Sequence, residues 1–215
     1  MPDLDFAVEG AEVVTFAVTP TLALKLRITD SGEEPVHAGM LDCQGRSEAP
    51  RRRYVPAERE RLGELFGDPS RWSQTLRSLL WTHVSVNVPP FTGSVLVDLR
   101  LPCTYDFNVQ VTKYFDSLED GEVPLTLLFS GSVFFAGPGG ALQVERVSWS
   151  KEAGYRLPVR VWRDVIDHYY PNTAWLNLHK DVFDRLAAYK ARRGLPTWEQ
   201  ALEELLLNAE ELRAR

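Results

Sequence analysis

The sequence has few of the residues that build metal centres or disulfide frameworks. Its 215 residues include two cysteines, Cys43 and Cys103, and four histidines. The cysteines form no CxxC pair and the histidines no HxH or HxxxH pair, although zinc and iron sites usually contain such local pairs. We therefore expect no metal site and no cofactor. We expect both cysteines to be reduced apolar fillers in a cytoplasmic protein, with a single disulfide as the alternative.

Long apolar runs and an excess of positive charge are missing too. No stretch reaches the roughly 18 consecutive apolar residues that a membrane span requires. The acidic start MPDLDFAVEG lacks the apolar segment of a signal peptide. The net charge of -6 disfavours a broad nucleic-acid surface, although a local basic patch remains compatible with it. We therefore expect no membrane span, and nucleic acid is disfavoured as a partner.

The motifs of common catalytic sites are absent as well. Ser130 and Ser132 lie in the run FSGSVFF, outside the GxSxG frame and the strand–turn–helix context of a serine hydrolase. The glycine-rich segment 137–140 leads into a strand pattern, so its amides lack the helix dipole that favours phosphate. These absences favour a protein that is not an enzyme.

The rest of the chain is organised around residues 93–135. Residues 95–101 and 105–112 alternate between apolar and polar side chains, and the later run PLTLLFSGSVFF is apolar on both faces. Alternation predicts strands with one buried face, whereas a run that is apolar on both faces predicts a central strand. We predict three consecutive strands, the last at the centre of an antiparallel sheet. Gly131 within this last run predicts a bulge or a close backbone approach.

Short alternating segments precede this block, and they begin at Leu4, Val14, Leu22 and Val36. Residues from about 56 to 80 instead show the three- and four-residue spacing of two helices. The pattern predicts an antiparallel, immunoglobulin-like β-sandwich. In this fold a two-helix insertion follows the fourth strand and covers a sheet edge or one end of the sandwich.

Past residue 150 the spacing of apolar residues is helical. Gly194 stands where a helix would end, and Thr197 with Gln200 forms a capping box before the last helix. We predict a β-sandwich over residues 1–150 and a helical segment over 151–215 that packs on it, so that the two form one compact unit.

The densest basic charge lies in the loop where Arg51, Arg52 and Arg53 precede Tyr54. Guanidinium groups bind carboxylates and phosphates through paired hydrogen bonds, so we predict that these four residues form a partner-facing loop. Interleaved glutamates favour the alternative of a salt-bridged surface. In the helical segment, Trp175 and Trp198 are the aromatic anchors that we expect at a dimer or docking contact.

Residues 173–206 resemble a ribbon–helix–helix unit, with a short strand, a helix, a glycine turn and a capped helix. Such units dimerise through the strand and place its outward side chains in the DNA major groove. Here those side chains would be Trp175, Asn177 and His179, or the alternate set Ala174, Leu176 and Leu178. Neither set is basic, which counts against contacts with DNA. DNA binding is therefore only an alternative function.

Several segments across the chain are similar to an uncharacterised bacterial family of unknown function. They are PTLALKLRI, RRRY, LFGDPSRW, LLWTHVSVNVPPFTGSVLVDLRLPCTYDFNVQVTKYF, GEVPLTLLFSGSVFF and the Trp-containing C-terminal helices. Members of that family are associated with gene clusters for nickel–iron hydrogenases. The resemblance implies an accessory role and no catalytic residues.

The resemblance and the missing motifs together favour a non-catalytic interaction or accessory protein. Its partner would be a protein, and the resemblance points to hydrogenase subunits that it helps to assemble or attach. A homodimer is an open option. Besides the DNA-binding alternative, an enzyme or small-ligand binder could use the mouth of the sandwich, where convergent polar groups would mark the site.

Overall fold

The computed structural model describes residues 2–32, 34–106, 108–174 and 176–213. Strands in this part of the chain form two sheets, and every strand pairing within them is antiparallel. Helices are interspersed between the strands and follow them. The structure therefore combines antiparallel sheets with helices.

The first sheet has the order β1-β2-β5, with β1 at Leu4–Val13, β2 at Thr21–Asp30 and β5 at Ser94–Pro102. Leu99 and Leu101 of β5 are fully buried. Their neighbours in sequence point to the opposite face, as the period-two pattern predicts.

The second sheet is built on β6, Glu122–Ala136. One edge of β6 pairs with β3 (Val36–Ser47), which pairs in turn with β4 (Leu79–Val88). The other edge pairs with β7 (Leu142–Arg146) and β8 (Glu152–Pro158). The predicted central position of the long apolar run is confirmed, because β6 has partners on both edges.

Both sheets contribute to one apolar core. Phe6 of β1 stacks on Phe129 of β6 with ring centroids 4.3 Å apart. Leu22 and Leu24 of β2 belong to the same cluster as Leu125 and Leu127 of β6. The burial of these apolar faces is the main stabilising term that joins the two sheets.

Gly131 makes the close backbone approach that the sequence predicts. Its φ is +136°, and a Cβ at this position would overlap the carbonyl oxygen of Met40 on β3. Only glycine adopts such a conformation without strain. The β3–β6 register runs through Gly131 without a shift, so the approach accompanies regular pairing.

Helices that lie in the same unit as the sheets cover the core. They are α1 (Pro56–Phe66), α2 (Trp72–Thr75), α3 (Val109–Asp116) and α4 (Val159–Tyr169). The indole of Trp162 on α4 stacks on the Phe115 ring of α3 at 4.7 Å and also meets the Trp81 ring of β4 at 6.0 Å. These aromatic contacts fix α3 and α4 against the second sheet.

The strand predicted over residues 105–112 is wrong, because α3 begins within it. The side chain of Asn108 accepts a hydrogen bond from the backbone N–H of Val111 at 3.1 Å and so caps the helix. Val111, Tyr114 and Phe115 are all buried, at the three- and four-residue spacing of one helical face. This longer-range pattern outweighs the local alternation.

The strand predicted from Val14 to Val18 is also wrong, since these residues connect β1 to β2. Phe16 and Val18 are fully exposed. The hydroxyl of Tyr169 on α4 donates to the Val14 carbonyl and accepts from the Ala17 amide. A helix side chain thus satisfies backbone groups that a strand partner would otherwise pair. The two-helix insertion therefore follows the third strand and not the fourth.

Two predicted boundaries also differ from the structure, one at the end of the helical insertion and one after residue 150. The second helix of the insertion ends at Thr75, and β4 already begins at Leu79. Past residue 150 the chain first forms β8 and only then α4. β8 does alternate, with Ala153 and Leu157 buried and Gly154 and Arg156 exposed, but the helical spacing that follows it dominates the pattern past residue 150.

The chain divides into two compact units, Met1–Thr173 and Ala174–Arg215. The first contains both sheets and α1 to α4. The second contains α5 (Lys180–Arg193) and α6 (Trp198–Arg213). The packing of the C-terminal helical segment on the sandwich stays a prediction.

Candidate partner-binding site

The predicted partner-facing loop lies between two regular elements. After β3, the residues Ala49–Arg51 form a single 3-10 turn, and α1 begins at Pro56. Proline is favoured at the first helical position because its missing N–H would be unpaired there anyway. The arginine loop, Arg51 to Tyr54, is therefore fixed at both ends.

The side chain of Arg52 is locked inside this loop. Its Nη1 and Nη2 donate to the two carboxylate oxygens of Glu58 at 2.8 and 2.9 Å. Its Nε donates to the carbonyl of Glu122 at 3.2 Å, and Nη2 also donates to the carbonyl of Asp120. The side chains of Arg52 and Glu58 are only 8% and 3% exposed. Arg52 thus joins the loop, the start of α1 and the turn before β6 through a buried ion pair.

Glu58 accepts hydrogen bonds from the backbone as well as from Arg52. The N–H groups of Val55 and Glu119 donate to its carboxylate at 3.1 and 2.8 Å. Burial alone would raise the pKa of Glu58, but the hydrogen bonds from Arg52 and the two amides outweigh it and lower that pKa. Glu58 is therefore ionised at neutral pH and balances the charge of Arg52.

The side chain of Tyr54 is buried beneath the loop and packs in the core. Its hydroxyl donates to the carbonyl of Ala49 at 2.7 Å and lies 2.9 Å from the hydroxyl of Tyr114 on α3. Burial raises the pKa of Tyr54, so the hydroxyl stays neutral. The guanidinium of Arg52 lies 5.1 Å from the centroid of the Tyr54 ring, within cation–π range.

Arg51 and Arg53 differ from the arginine between them. Both are exposed, and neither has an ion pair within the part of the chain that the structure describes. Of the four predicted loop residues, the structure therefore leaves two guanidinium groups free for a partner. Arg52 and Tyr54 hold those two in place.

Two open grooves flank the arginine loop. The first groove, of about 530 Å³, has Arg51 and Arg53 beside Glu119, Asp120 and Glu122, so its charges are mixed. The second groove, of about 560 Å³, is lined by Arg52, Arg53, Tyr54, Arg59, Pro69, Trp72 and Leu76. No acidic residue belongs to the second lining. It therefore combines an aromatic and aliphatic surface with positive charge.

The indole in this second groove has a fixed orientation. Nε1 of Trp72 donates to the carbonyl of Gly67 at 3.0 Å. The Trp72 ring meets the Tyr54 ring edge-on at 5.4 Å. The Nε of Arg59 donates to the Tyr54 carbonyl at 3.2 Å. The groove is therefore formed before any partner binds.

The two predicted tryptophan anchors belong to the C-terminal unit. Trp175 lies outside the described residues. Trp198, at the start of α6, contacts the ring of Phe183 at 5.2 Å and lies beneath the ammonium of Lys190 at 5.4 Å. It is partly exposed. The described residues of the predicted ribbon, Ala174 and 176–179, form no strand.

Other groups that the sequence singles out lie away from the arginine loop. Cys43 and Cys103 are buried and free, and burial raises the pKa of each thiol to about 12. Burial therefore favours the protonated thiol of each cysteine at neutral pH. In the described ranges, no cluster of three or more His, Cys, Asp or Glu side chains could hold a metal ion. Nor does any helix there combine the length and apolar character needed to cross a bilayer.

Sequence reasoning treats Glu58 as one of several interleaved surface acids and misses its role. One indication is present in the sequence, because Glu58 is the third residue of a helix that begins at Pro56. A glutamate at this position often accepts from the backbone N–H that precedes the helix, as Glu58 does from Val55. The bond to Glu119 spans 61 residues, and no local pattern reveals it.

Comparison with protein families gives one match over nearly the whole chain. Residues 1–214 match a family described as "Family of unknown function (DUF6084)". The chain belongs to DUF6084. No curated protein matches the chain.

Solved structures that resemble this DUF6084 chain are distant. A β-glucosidase from Kluyveromyces marxianus is 12% identical over 72% of this chain and 15% of its own, with a TM-score of 0.28. β-Glucosidase 3B from Thermotoga neapolitana is 15% identical over 72% and 17%, with a TM-score of 0.26. A candidate late embryogenesis abundant (LEA) protein is 13% identical over 74% and 73%, with a TM-score of 0.32.

The aligned part therefore spans about a sixth of the β-glucosidase chains. With TM-scores this low, none of the three structures establishes the fold or the activity of this chain.

Proposed function

We propose that this protein is a non-catalytic interaction or accessory protein that binds an acidic segment of a partner protein in the second groove. The observation that carries the proposal is the exposed, unpaired guanidinium of Arg53, among the described residues, at the rim of a groove without acidic lining. A carboxylate there would gain a charge-assisted hydrogen bond.

The floor of the groove defines the rest of the ligand. Trp72 and Leu76 offer an apolar surface next to Arg53 and Arg59. An extended segment that alternates acidic and aliphatic side chains would place its carboxylates on the arginines and its apolar side chains on the indole. The locked Arg52 keeps the loop ordered before binding, which lowers the entropy cost of association.

A labelled peptide of alternating Glu and Leu tests this recognition by fluorescence anisotropy. We expect Arg53→Glu to weaken binding at least about tenfold, because it replaces attraction by repulsion. Arg100→Glu is the matched control, since Arg100 is exposed on β5 and should leave the affinity within about twofold. Equal losses in the two variants, or equal binding of a Gln–Leu peptide, would refute the groove as the site.

We further propose that the partner is a subunit of a nickel–iron hydrogenase or a protein of its assembly, in the cytoplasm. Only the family resemblance supports the hydrogenase, and the two free cysteines agree with a reducing compartment. A photocrosslinking amino acid at position 53 in native cells should capture a hydrogenase-cluster protein, whereas the same group at position 100 should not. Capture of unrelated proteins alone would reject this partner.

We also propose that the two sheets form an immunoglobulin-like sandwich. The orders β1-β2-β5 and β4-β3-β6-β7 correspond to strands A-B-E and C′-C-F-G of that fold. The helices α1 and α2 then lie in the C–C′ connection. NMR contacts between the rings of Phe6 and Phe129 test the face-to-face packing, and their absence in the folded protein would argue against it.

A further inference from the structure

The C-terminal unit is a helical hairpin with its own turn and caps. Gly194 takes a left-handed conformation, and its N–H and that of Leu195 return to carbonyls in the last turn of α5, which ends a helix in the Schellman manner. The Thr197 hydroxyl accepts from the Gln200 amide at 3.2 Å and caps α6. Among the described residues of the hairpin, only Ala201 is fully buried. Two helices of this size cannot bury enough apolar surface alone.

One side of the hairpin exposes large apolar side chains. Leu202 is 38% and Leu206 64% exposed. Others on or beside the same stripe are Val182, Phe183, Leu205 and Leu212. On average about half of the surface of these six residues is exposed. A stable dimer buries about 800 Å² per partner, and exposed apolar side chains such as these form the core of such interfaces.

The two helices carry opposite charges. α5 contains five basic and two acidic side chains, whereas α6 contains five acidic and one basic. Arg193 and Glu204 pair within the hairpin. Arg185 and Arg192 have no ion pair in the described part of the chain, and the same is true of Glu203 and Glu210.

These unpaired charges have matching spacing. Arg185 and Arg192 are seven residues apart on α5, and Glu203 and Glu210 are seven residues apart on α6, which is about 10.5 Å along each helix. The arginines border a groove of about 510 Å³ that is lined by Val182, Arg185, Leu186, Ala188, Tyr189, Arg192 and Leu205. On α6, Leu202 and Leu206 lie beside the two glutamates. An acidic helix with an apolar edge therefore fits this groove.

We propose that two copies of this chain associate through their C-terminal hairpins as a four-helix bundle, with α6 of each copy in the α5 groove of the other. A two-fold axis makes the contact self-complementary, because both copies present the same groove and the same acidic helix. Side-by-side packing of two α6 helices would instead bring like charges together. This association does not involve the arginine loop and holds whether or not the proposed function is correct.

Sedimentation velocity on the full chain at about 150 mM NaCl tests the proposal. We expect the wild-type protein to be a dimer. Leu202→Glu combined with Leu206→Glu should raise the dissociation constant at least about 100-fold, since both side chains lie in the interface. Leu206 is largely exposed and Leu202 partly exposed in the single chain, so the variant should retain its fold, which circular dichroism checks.

Leu142→Glu is the matched control, because Leu142 is 65% exposed but lies on β7, outside the C-terminal hairpin. It should remain dimeric. Arg185→Glu with Arg192→Glu should also dissociate the dimer, and adding Glu203→Arg with Glu210→Arg should restore it. A monomeric wild type would mean that the apolar stripe is covered within its own chain, and it would overturn the proposal. A dimer that survives Leu202→Glu/Leu206→Glu, or that Leu142→Glu disrupts equally, would overturn it too.

Discussion

Replacing Arg52 by methionine tests the buried anchor of the arginine loop. The substitution keeps a side chain of moderate length but removes the charge and the hydrogen bonds to Glu58 and to two backbone carbonyls. Glu58 then remains as a buried carboxylate. It keeps only the amide donors of Val55 and Glu119.

The magnitude follows from the burial of both partners. Removing one member of a buried ion pair costs about 3–5 kcal/mol. Because two backbone amides still stabilise the carboxylate of Glu58, we expect the lower end, about 3 kcal/mol. For a protein of this size each kcal/mol shifts the Tm by about 2–4 °C, so the Tm should fall by about 6–12 °C.

The neighbouring arginines provide matched controls in the same loop. Arg51→Met and Arg53→Met remove the same group from exposed positions without an ion pair among the described residues, and each should change the free energy of unfolding by no more than about 0.5 kcal/mol. Urea denaturation and differential scanning calorimetry at pH 7 measure all three variants.

The pH dependence gives a second readout. Since the pKa of Glu58 is lowered in the folded protein, the pair contributes stability above the usual carboxyl pKa of about 4.3. That contribution disappears as the pH falls through the lowered value. In Arg52→Met the burial of Glu58 is no longer offset by arginine, so its pKa should rise. The penalty at pH 7 should therefore shrink at pH 4.

Combining Arg52→Met with Glu58→Gln should recover part of the lost stability, with a coupling of at least about 1 kcal/mol. The anchor hypothesis fails if Arg52→Met is no worse than the two control variants. It also fails if the double variant shows no coupling.

Three further predictions concern the core and the loop. Gly131→Ala should lower the free energy of unfolding by about 2–4 kcal/mol, because φ is +136° and a Cβ would overlap neighbouring backbone. A Cβ at Gly63 would have no other atom within 4 Å, so Gly63→Ala should raise the free energy of unfolding by up to about 1 kcal/mol in urea denaturation. Equal changes in stability for the two glycine variants would contradict the strain argument. Burial raises the pKa of Cys43 and Cys103 to about 12, so a thiol reagent at pH 8 should label neither in the native protein and both in guanidinium chloride, and rapid native labelling would disprove their burial. Tyr54→Phe removes a buried hydroxyl that makes two hydrogen bonds, and it should lower the free energy of unfolding by about 1–3 kcal/mol. An unchanged thermal midpoint would show that the hydroxyl is dispensable.

Local periodicity is enough to predict much of the sheet framework. β2 and β5 alternate with period two because each buries one face. β6 buries the face that carries Leu125, Leu127 and Phe129, its other face is half-buried, and strands pair with both of its edges. The same reasoning fails at 105–112, where alternation continues into α3. A capping side chain on Asn108 and the burial of Phe115 favour a helix there, and both depend on packing that local alternation does not encode.

The sequence by itself determined where charge and apolar surface are concentrated: three successive arginines before α1, a basic α5 and an acidic α6. Only the tertiary structure decided which of these groups are free. Arg52 is sequestered because its acceptors come from Glu58 and from carbonyls 68 and 70 residues away, whereas Arg51 and Arg53 meet no such acceptor in the described chain. Hydrogen bonds and burial between distant segments are set by three-dimensional packing, and that packing makes one arginine structural and leaves its two neighbours available for binding.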